Sequence, residues 1–266
     1  MTGQPTGTIP AGERYLSDTP TLRMHAGTQP DLFLWWNAIP ADAAAIDVVV
    51  HLHGFSQQRG EMALSEKVAR SGLDLSGRTR PTLALLPRGN WVRSTWYDFP
   101  ALLDGGFDAL IDYGLRQLSR PLPLARLIVT GHSGGVMPII DALPTMSRTP
   151  DELHLFDGLY GHDPALGDPM QGMAVIERWL DERLAAEPGQ PGALRVVFIE
   201  RQTGPMSRLV AAAIKRRLAQ ADSAQVPGLA KRYRVEPSAV PHGYVAAVCG
   251  PTLLARSDAD FDWSRV

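Results

Sequence analysis

Among its 266 residues the sequence has one cysteine, Cys249. An intrachain disulfide and a Cys-rich structural zinc site are therefore excluded, and packing has to hold the fold. A surplus of either charge is missing too: 26 lysines and arginines stand against 28 aspartates and glutamates, a formal net charge of −2. A nucleic acid partner would demand a basic surplus, so none is expected. No apolar run approaches the ~20 residues that span a bilayer, and the opening MTGQPTGTIPAGERY has no basic flank leading into an apolar stretch. A soluble protein without a transmembrane segment is expected, cytoplasmic by default, with its oligomeric state open. Long linkers, blocks of like charge and internal repeats are also lacking, which points to one domain.

What is present suits a large globular domain: 44% of the residues are hydrophobic and 20% charged, enough apolar surface for a sizeable core. The polar, Gly/Pro-rich residues 1–20 read as an amino-terminal extension, and 21–266 as a single α/β domain. Segments around Leu22 to His25 and Asp31 to Ile39, parted by a Gly/Pro break, suit strands and predict an antiparallel, hairpin-like start. Within the second, Trp35 and Trp36 are neighbours on a strand and should face opposite ways.

From Asp47 the pattern changes. DVVVHLHG, TLALLPRG, ARLIVTGHS, LHLFDGLYG, LRVVFIERQ and KRYRVEPS are short runs, most of them apolar at successive positions, as in strands covered on both faces of a parallel sheet. Between them, Phe107, Ile111, Leu115 and Leu118 share one helical face, as do Met173, Ile176, Leu180 and Leu184, and then Val210, Ile214 and Leu218. These stripes read as core. Strands alternating with helices predict a mostly parallel twisted sheet with helices on both faces, and ligands at the carboxyl ends of its strands.

The most specific motif is Gly131-His132-Ser133-Gly134-Gly135, which follows the predicted strand Leu127-Ile128-Val129-Thr130 and precedes a predicted helix. Gly-x-Ser-x-Gly in that setting is a nucleophile elbow: a sharp turn lifts the serine hydroxyl above the sheet, and small flanking residues avoid collisions. The rival is a serine in a tight glycine turn. A dinucleotide fingerprint and a phosphate loop are not matched, since neither Gly-x-Gly-x-x-Gly nor Gly-Lys-Ser/Thr is present.

With these motifs the chain resembles the α/β-hydrolase superfamily, in order from about Asp47 to Cys249. His51-Leu52-His53-Gly54-Phe55 is similar to the His-Gly-x oxyanion loop of many lipases and esterases. The resemblance implies that the backbone N–H groups of Phe55 and Gly134 form the oxyanion hole, with the Phe55 side chain facing the acyl pocket. A metal-ligand pair is the alternative reading of His51 and His53, because alternate strand residues share a face. A serine nucleophile also needs a base. His242, in Val240-Pro241-His242-Gly243-Tyr244, occupies the place near the carboxyl terminus where the superfamily carries its histidine; His25, His132, His154 and His162 do not.

The acid departs from the commonest pattern, in which an aspartate follows the penultimate strand. That strand here runs into Glu200-Arg201-Gln202-Thr203-Gly204-Pro205. The preceding strand ends Phe156-Asp157-Gly158, resembling superfamily members whose acid follows the strand after the nucleophile helix. Asp157 is therefore chosen, in the order Ser133, Asp157, His242. Glu200 and Asp163 stay as alternatives, and a turn residue capping backbone N–H groups is the bland reading of Asp157. Trp91, Trp96, Tyr97 and Phe99 follow a strand end and suggest an apolar substrate wall, though packing onto the domain accounts equally well for each. The stretch from Leu159 and Tyr160 to Met170 is expected to form a rim beside it. Together these residues predict a serine hydrolase acting on a small carboxylic ester, with no metal or organic cofactor implied. Amide or peptide hydrolysis, acyl transfer and a noncatalytic binding protein of the same fold are the alternatives.

Overall fold

In the computed structural model, which describes residues 7–55, 62–90, 99–160, 169–185, 192–201 and 203–255, eight strands form one mixed sheet. They are β1 (Gly12–Leu16), β2 (Leu32–Trp36), β3 (Ile46–Leu52), β4 (Thr82–Pro87), β5 (Leu124–His132), β6 (Glu152–Phe156), β7 (Ala193–Phe198) and β8 (Tyr233–Pro237). Their order is β1-β2-β4-β3-β5-β6-β7-β8. β1 and β2 are antiparallel to their neighbours, and the six strands from β4 to β8 across the sheet are parallel.

Successive apolar residues arise because both faces are covered. On β3, Val48, Val50 and Leu52 enter one core while Val49 enters another, and on β5 Leu127 and Val129 part from Ile128 in the same way. The larger core is closed by α2 (Gly106–Arg116), α3 (Val136–Ala142), α4 (Pro169–Leu184) and α5 (Gly204–Leu218), through residues that include Phe107, Ile139, Ile176 and Val210. On the other face lie α1 (Leu64–Arg70) and α7 (Val245–Ala255), which contribute Leu64 and Leu254. α6 (Val226–Arg232) leads into β8. Each fully buried Val, Leu or Ile contributes about 1.5–3 kcal/mol. Among the described residues no helix is long and apolar enough to cross a membrane.

The amino-terminal pairing differs from the expectation. Leu22 closes a 3-10 turn over Pro20–Leu22 and is fully buried, so Leu22 to His25 is not a strand. The partner of β2 is β1, with Gly12 opposite Trp36 and Leu16 opposite Leu32. Residues 12–16, read from sequence as part of an extension, thus belong to the sheet. β1 has no buried residue, so backbone pairing at a sheet edge defines it and no apolar pattern announces it. Trp36 is buried, its indole N–H donating to Pro10 O at 2.8 Å, while Trp35 on the opposite face is half-buried.

Candidate active site

β5 delivers Ser133 into a sharp turn. Its φ is 53°, a left-handed conformation that costs a non-glycine residue energy and that the surrounding packing must hold in place. A single 3-10 turn, Ser133–Gly135, then leads into α3. Gly135 has to be glycine: a Cβ there would collide with Leu52 O and stand 2.7 Å from His53 O, so the turn could not seat itself under the end of β3.

Three side chains from three strand ends converge at this turn. His242 lies beyond β8, on a short 3-10 turn over His242–Tyr244. Its Nε2 is 2.8 Å from Ser133 Oγ and its Nδ1 is 2.6 Å from Asp157 Oδ2. The carboxylate accepts, so the proton sits on Nδ1 and Nε2 accepts the serine O–H. Tyr160 OH is 3.0 Å from the same Oγ. With the serine proton given to His242, Tyr160 donates to Ser133. Burial pushes the tyrosine hydroxyl above its ordinary pKa, partly offset by the Ser133 hydrogen bond, so it is a protonated donor at neutral pH.

Asp157 is 1% exposed and also has a positive φ, 45°. Its Oδ1 accepts the Ile199 N–H at 2.9 Å and the Thr203 hydroxyl. Burial raises its pKa, but the hydrogen bonds from His242, Ile199 and Thr203 outweigh burial and hold it below the ordinary carboxylate value. The next residue, Gly158, backs directly onto the elbow, where a Cβ would overlap Ser133 O and Val136. Glu200 does not reach this cluster. It pairs with Arg208 in an exposed ion pair. Asp163 and His162 lie outside the described residues.

Two residues that no sequence motif singles out also shape the site. Thr203 stands at the start of α5, beyond the strand end where the commonest pattern would put the acid; there it supplies a donor to Asp157 instead. His132, inside the elbow, donates its Nε2–H to the His242 carbonyl at 2.8 Å, and the two rings lie 5.0 Å apart. Burial lowers the His132 pKa to about 4, so it stays neutral beside His242.

The end of β3 forms the opposite wall. A Cβ built on Gly134 would lie 3.7 Å from the Phe55 nitrogen, and one on Gly54 2.9 Å from Ser133 Cβ, so the loop after β3 rests on the elbow. Phe55 itself is 44% exposed and borders a cavity of about 120 Å³ that also reaches His53, Lys67, Ser133 and His242. His51 and His53 are buried and engaged in hydrogen bonds. His51 Nδ1 lies 2.7 Å from Thr130 Oγ1, and His53 Nδ1 and Nε2 meet Gly54 O at 2.8 Å and the Gly89 N–H at 2.9 Å. Among the described residues no group of three or more His, Cys, Asp or Glu is placed to hold a metal ion.

Of the residues expected to line the substrate, Trp91, Trp96 and Tyr97 lie outside the described residues. Phe99 is 1% exposed and packs on His53, with ring centroids 5.0 Å apart, so it supports the loop after β3 from below. Leu159 corrects the expectation of a rim. It is fully buried in the larger core, because the turn at Asp157 and Gly158 sends the chain back beneath the elbow. Met170 belongs to α4.

No protein-family model and no curated protein matches the sequence. Solved structures do resemble it. The fluorophosphonate-binding serine hydrolase F of Staphylococcus aureus aligns over 94% of this chain and 100% of its own at 13% identity, with a TM-score of 0.50. A siderophore hydrolase from Aspergillus nidulans aligns over 86% of this chain and 90% of its own at 15% identity and a TM-score of 0.48. An esterase from Thermogutta terrifontis, solved with propionate, aligns over 88% and 92% at 15% identity and 0.47. With its strand order, its strained strand-to-helix turn at Ser133 and the likeness to the Staphylococcus structure, the chain has the α/β-hydrolase fold.

Proposed function

We propose that this protein is a serine hydrolase that cleaves small carboxylic esters through an acyl-enzyme, with Ser133 as nucleophile, His242 as general base and acid, and Asp157 as the residue that orients His242. The observation that carries the proposal is the continuous hydrogen-bond chain from Asp157 Oδ2 through both ring nitrogens of His242 to Ser133 Oγ. A serine hydroxyl is a weak nucleophile unless a base takes its proton as it attacks, and this chain supplies the base in the right tautomer.

In the proposed cycle His242 Nε2 takes the Ser133 proton while Oγ attacks the ester carbonyl carbon. The carbonyl electron pair moves to oxygen, where the N–H groups of Phe55 and Gly134 bind it. Collapse of the tetrahedral intermediate breaks the bond to the alcohol oxygen, which receives the proton from His242. Water then attacks the acyl-enzyme, giving His242 one proton; the acid leaves as Oγ recovers it. Buried and ionised, Asp157 stabilises the imidazolium at both stages.

The test is turnover of short and long acyl p-nitrophenyl esters and the matching amides by the wild-type enzyme, Ser133→Ala and His242→Ala. The expected outcome is ester turnover that exceeds amide turnover and falls by several powers of ten in either variant. Undiminished turnover in Ser133→Ala would remove the proposal.

A further inference from the structure

Lys67 belongs to no motif of the sequence. It shares the inward face of α1 with Leu64, three residues earlier, and is only 5% exposed. A buried ammonium is costly unless strong acceptors surround it. Lys67 Nζ donates to the carbonyl oxygen of Gly54 at 2.7 Å. The same oxygen lies 2.8 Å from His53 Nδ1. His53 carries its proton on that nitrogen, because its Nε2 accepts the Gly89 N–H. One carbonyl thus receives two donors, and one of them is a cation.

The other end of that peptide unit is the Phe55 N–H. In a trans peptide the N–H points away from the carbonyl. Here the Phe55 nitrogen faces the elbow, 3.7 Å from the point where a Cβ on Gly134 would stand. From this geometry we infer that Lys67 is a positioning residue of the oxyanion hole: it fixes and polarises the Gly54–Phe55 peptide, so that the Phe55 N–H meets the charge developing on the substrate carbonyl oxygen. The inference rests on the serine hydrolase function proposed above. A cation on the C=O draws electron density toward the oxygen and makes the N–H at the far end a stronger donor. It also holds the peptide plane before substrate arrives, so no reorganisation is needed as the oxyanion forms. Its field reaches the neighbouring rings too, adding to burial in holding His53 and His132 neutral.

The experiment measures kcat and KM on a short-chain p-nitrophenyl ester, together with the Ki of a trifluoromethyl ketone, whose adduct with Ser133 carries an oxyanion. Lys67→Met, Lys67→Gln and Lys67→Arg are compared with the wild-type enzyme. Removing a whole oxyanion donor costs about 10²–10³ in kcat, and weakening one is expected to cost about 10- to 100-fold in Lys67→Met, with KM within about threefold. The ketone Ki should rise by the same factor, and Lys67→Arg, which keeps a charged donor, should recover most of both. A packing role would lower thermal stability without linking kcat/KM to ketone affinity. A folded Lys67→Met enzyme with unchanged kcat, or variants in which ketone affinity does not follow kcat/KM, overturns the inference. Should Lys67→Met fail to fold, the same proportionality in Lys67→Gln and Lys67→Arg decides. Loss of turnover in Ser133→Ala beside an indifferent Lys67→Met removes only the role of Lys67, whereas an active Ser133→Ala removes the hydrolase function itself.

Discussion

The Thr203 hydroxyl donates to Oδ1 of Asp157, leaving Oδ2 to His242. One carboxylate is thereby divided between two tasks: the residue after β7 and the start of α5 hold one oxygen through Ile199 N–H and Thr203, and the histidine takes the other. Asp157→Asn is expected to keep the fold while permitting the wrong histidine tautomer, lowering kcat by up to ~10⁴. Glu200→Gln, in an exposed ion pair, should stay within about threefold of wild type. Steady-state kinetics on one ester decide, and equal losses in the two variants would dismiss Asp157.

Thr203→Val removes one donor from a buried carboxylate and leaves its neighbours in place. The expected cost is about 1–3 kcal/mol of stability, with a smaller loss of kcat than in Asp157→Asn. Urea unfolding and kinetics measure both. An unaltered unfolding midpoint would mean that the Thr203 hydrogen bond contributes nothing to holding Asp157.

Gly158→Ala tests the fit between the end of β6 and the elbow. The added Cβ would overlap Ser133 O and Val136, so relief requires the elbow to shift. Overpacking of this kind costs typically about 1–3 kcal/mol, and a 1 Å misplacement of the proposed nucleophile about 10²-fold in rate. A variant with wild-type kcat and melting temperature would show that the contact has room for a methyl group.

Much of this fold is written in the sequence. The parallel strands are legible because each is buried on both faces and therefore apolar at successive positions, as Val48, Val49 and Val50 are. The elbow is legible because sterics permit few residues besides glycine at Gly135. β1 is hidden for the converse reason: an exposed edge strand has no side-chain pattern. Thr203, His132 and Lys67 escape for another. Each acts through a hydrogen bond to a group 13 to 110 residues away along the chain, a distance no local motif spans. Tyr160, expected at a substrate rim, has its hydroxyl on Ser133 Oγ.

Acid should destabilise the protein well before its carboxylates are protonated. Burial is the leading cause that lowers the pKa of His25, His132 and His154 to about 4 and of His51 to about 3. Above ~6.5 these imidazoles are neutral in both folded and unfolded chains and contribute no pH dependence. As the pH falls below that value, the unfolded chain takes up protons that the folded chain excludes, so stability declines by up to ~1.4 kcal/mol per pH unit for each histidine until its folded pKa is reached. Below the ordinary carboxylate range, the lowered pKa values of Asp157 and Glu152, the latter about 2, add a second loss. Urea midpoints at intervals from pH 7 to 4.5 should fall steadily; a constant midpoint would contradict neutral buried histidines.

The most direct test of the central claim is covalent. A serine Oγ displaces fluoride from the phosphorus of a fluorophosphonate readily only where a base takes its proton as it attacks and donors hold the charge on the phosphonyl oxygen. Intact mass and peptide mapping after treatment of the wild-type protein should show one phosphonyl group, on Ser133, with ester hydrolysis lost in proportion to labelling and no label on Ser133→Ala. A protein that hydrolyses esters while unlabelled, or that takes the label on another residue with Ser133 intact, would contradict Ser133 as the nucleophile.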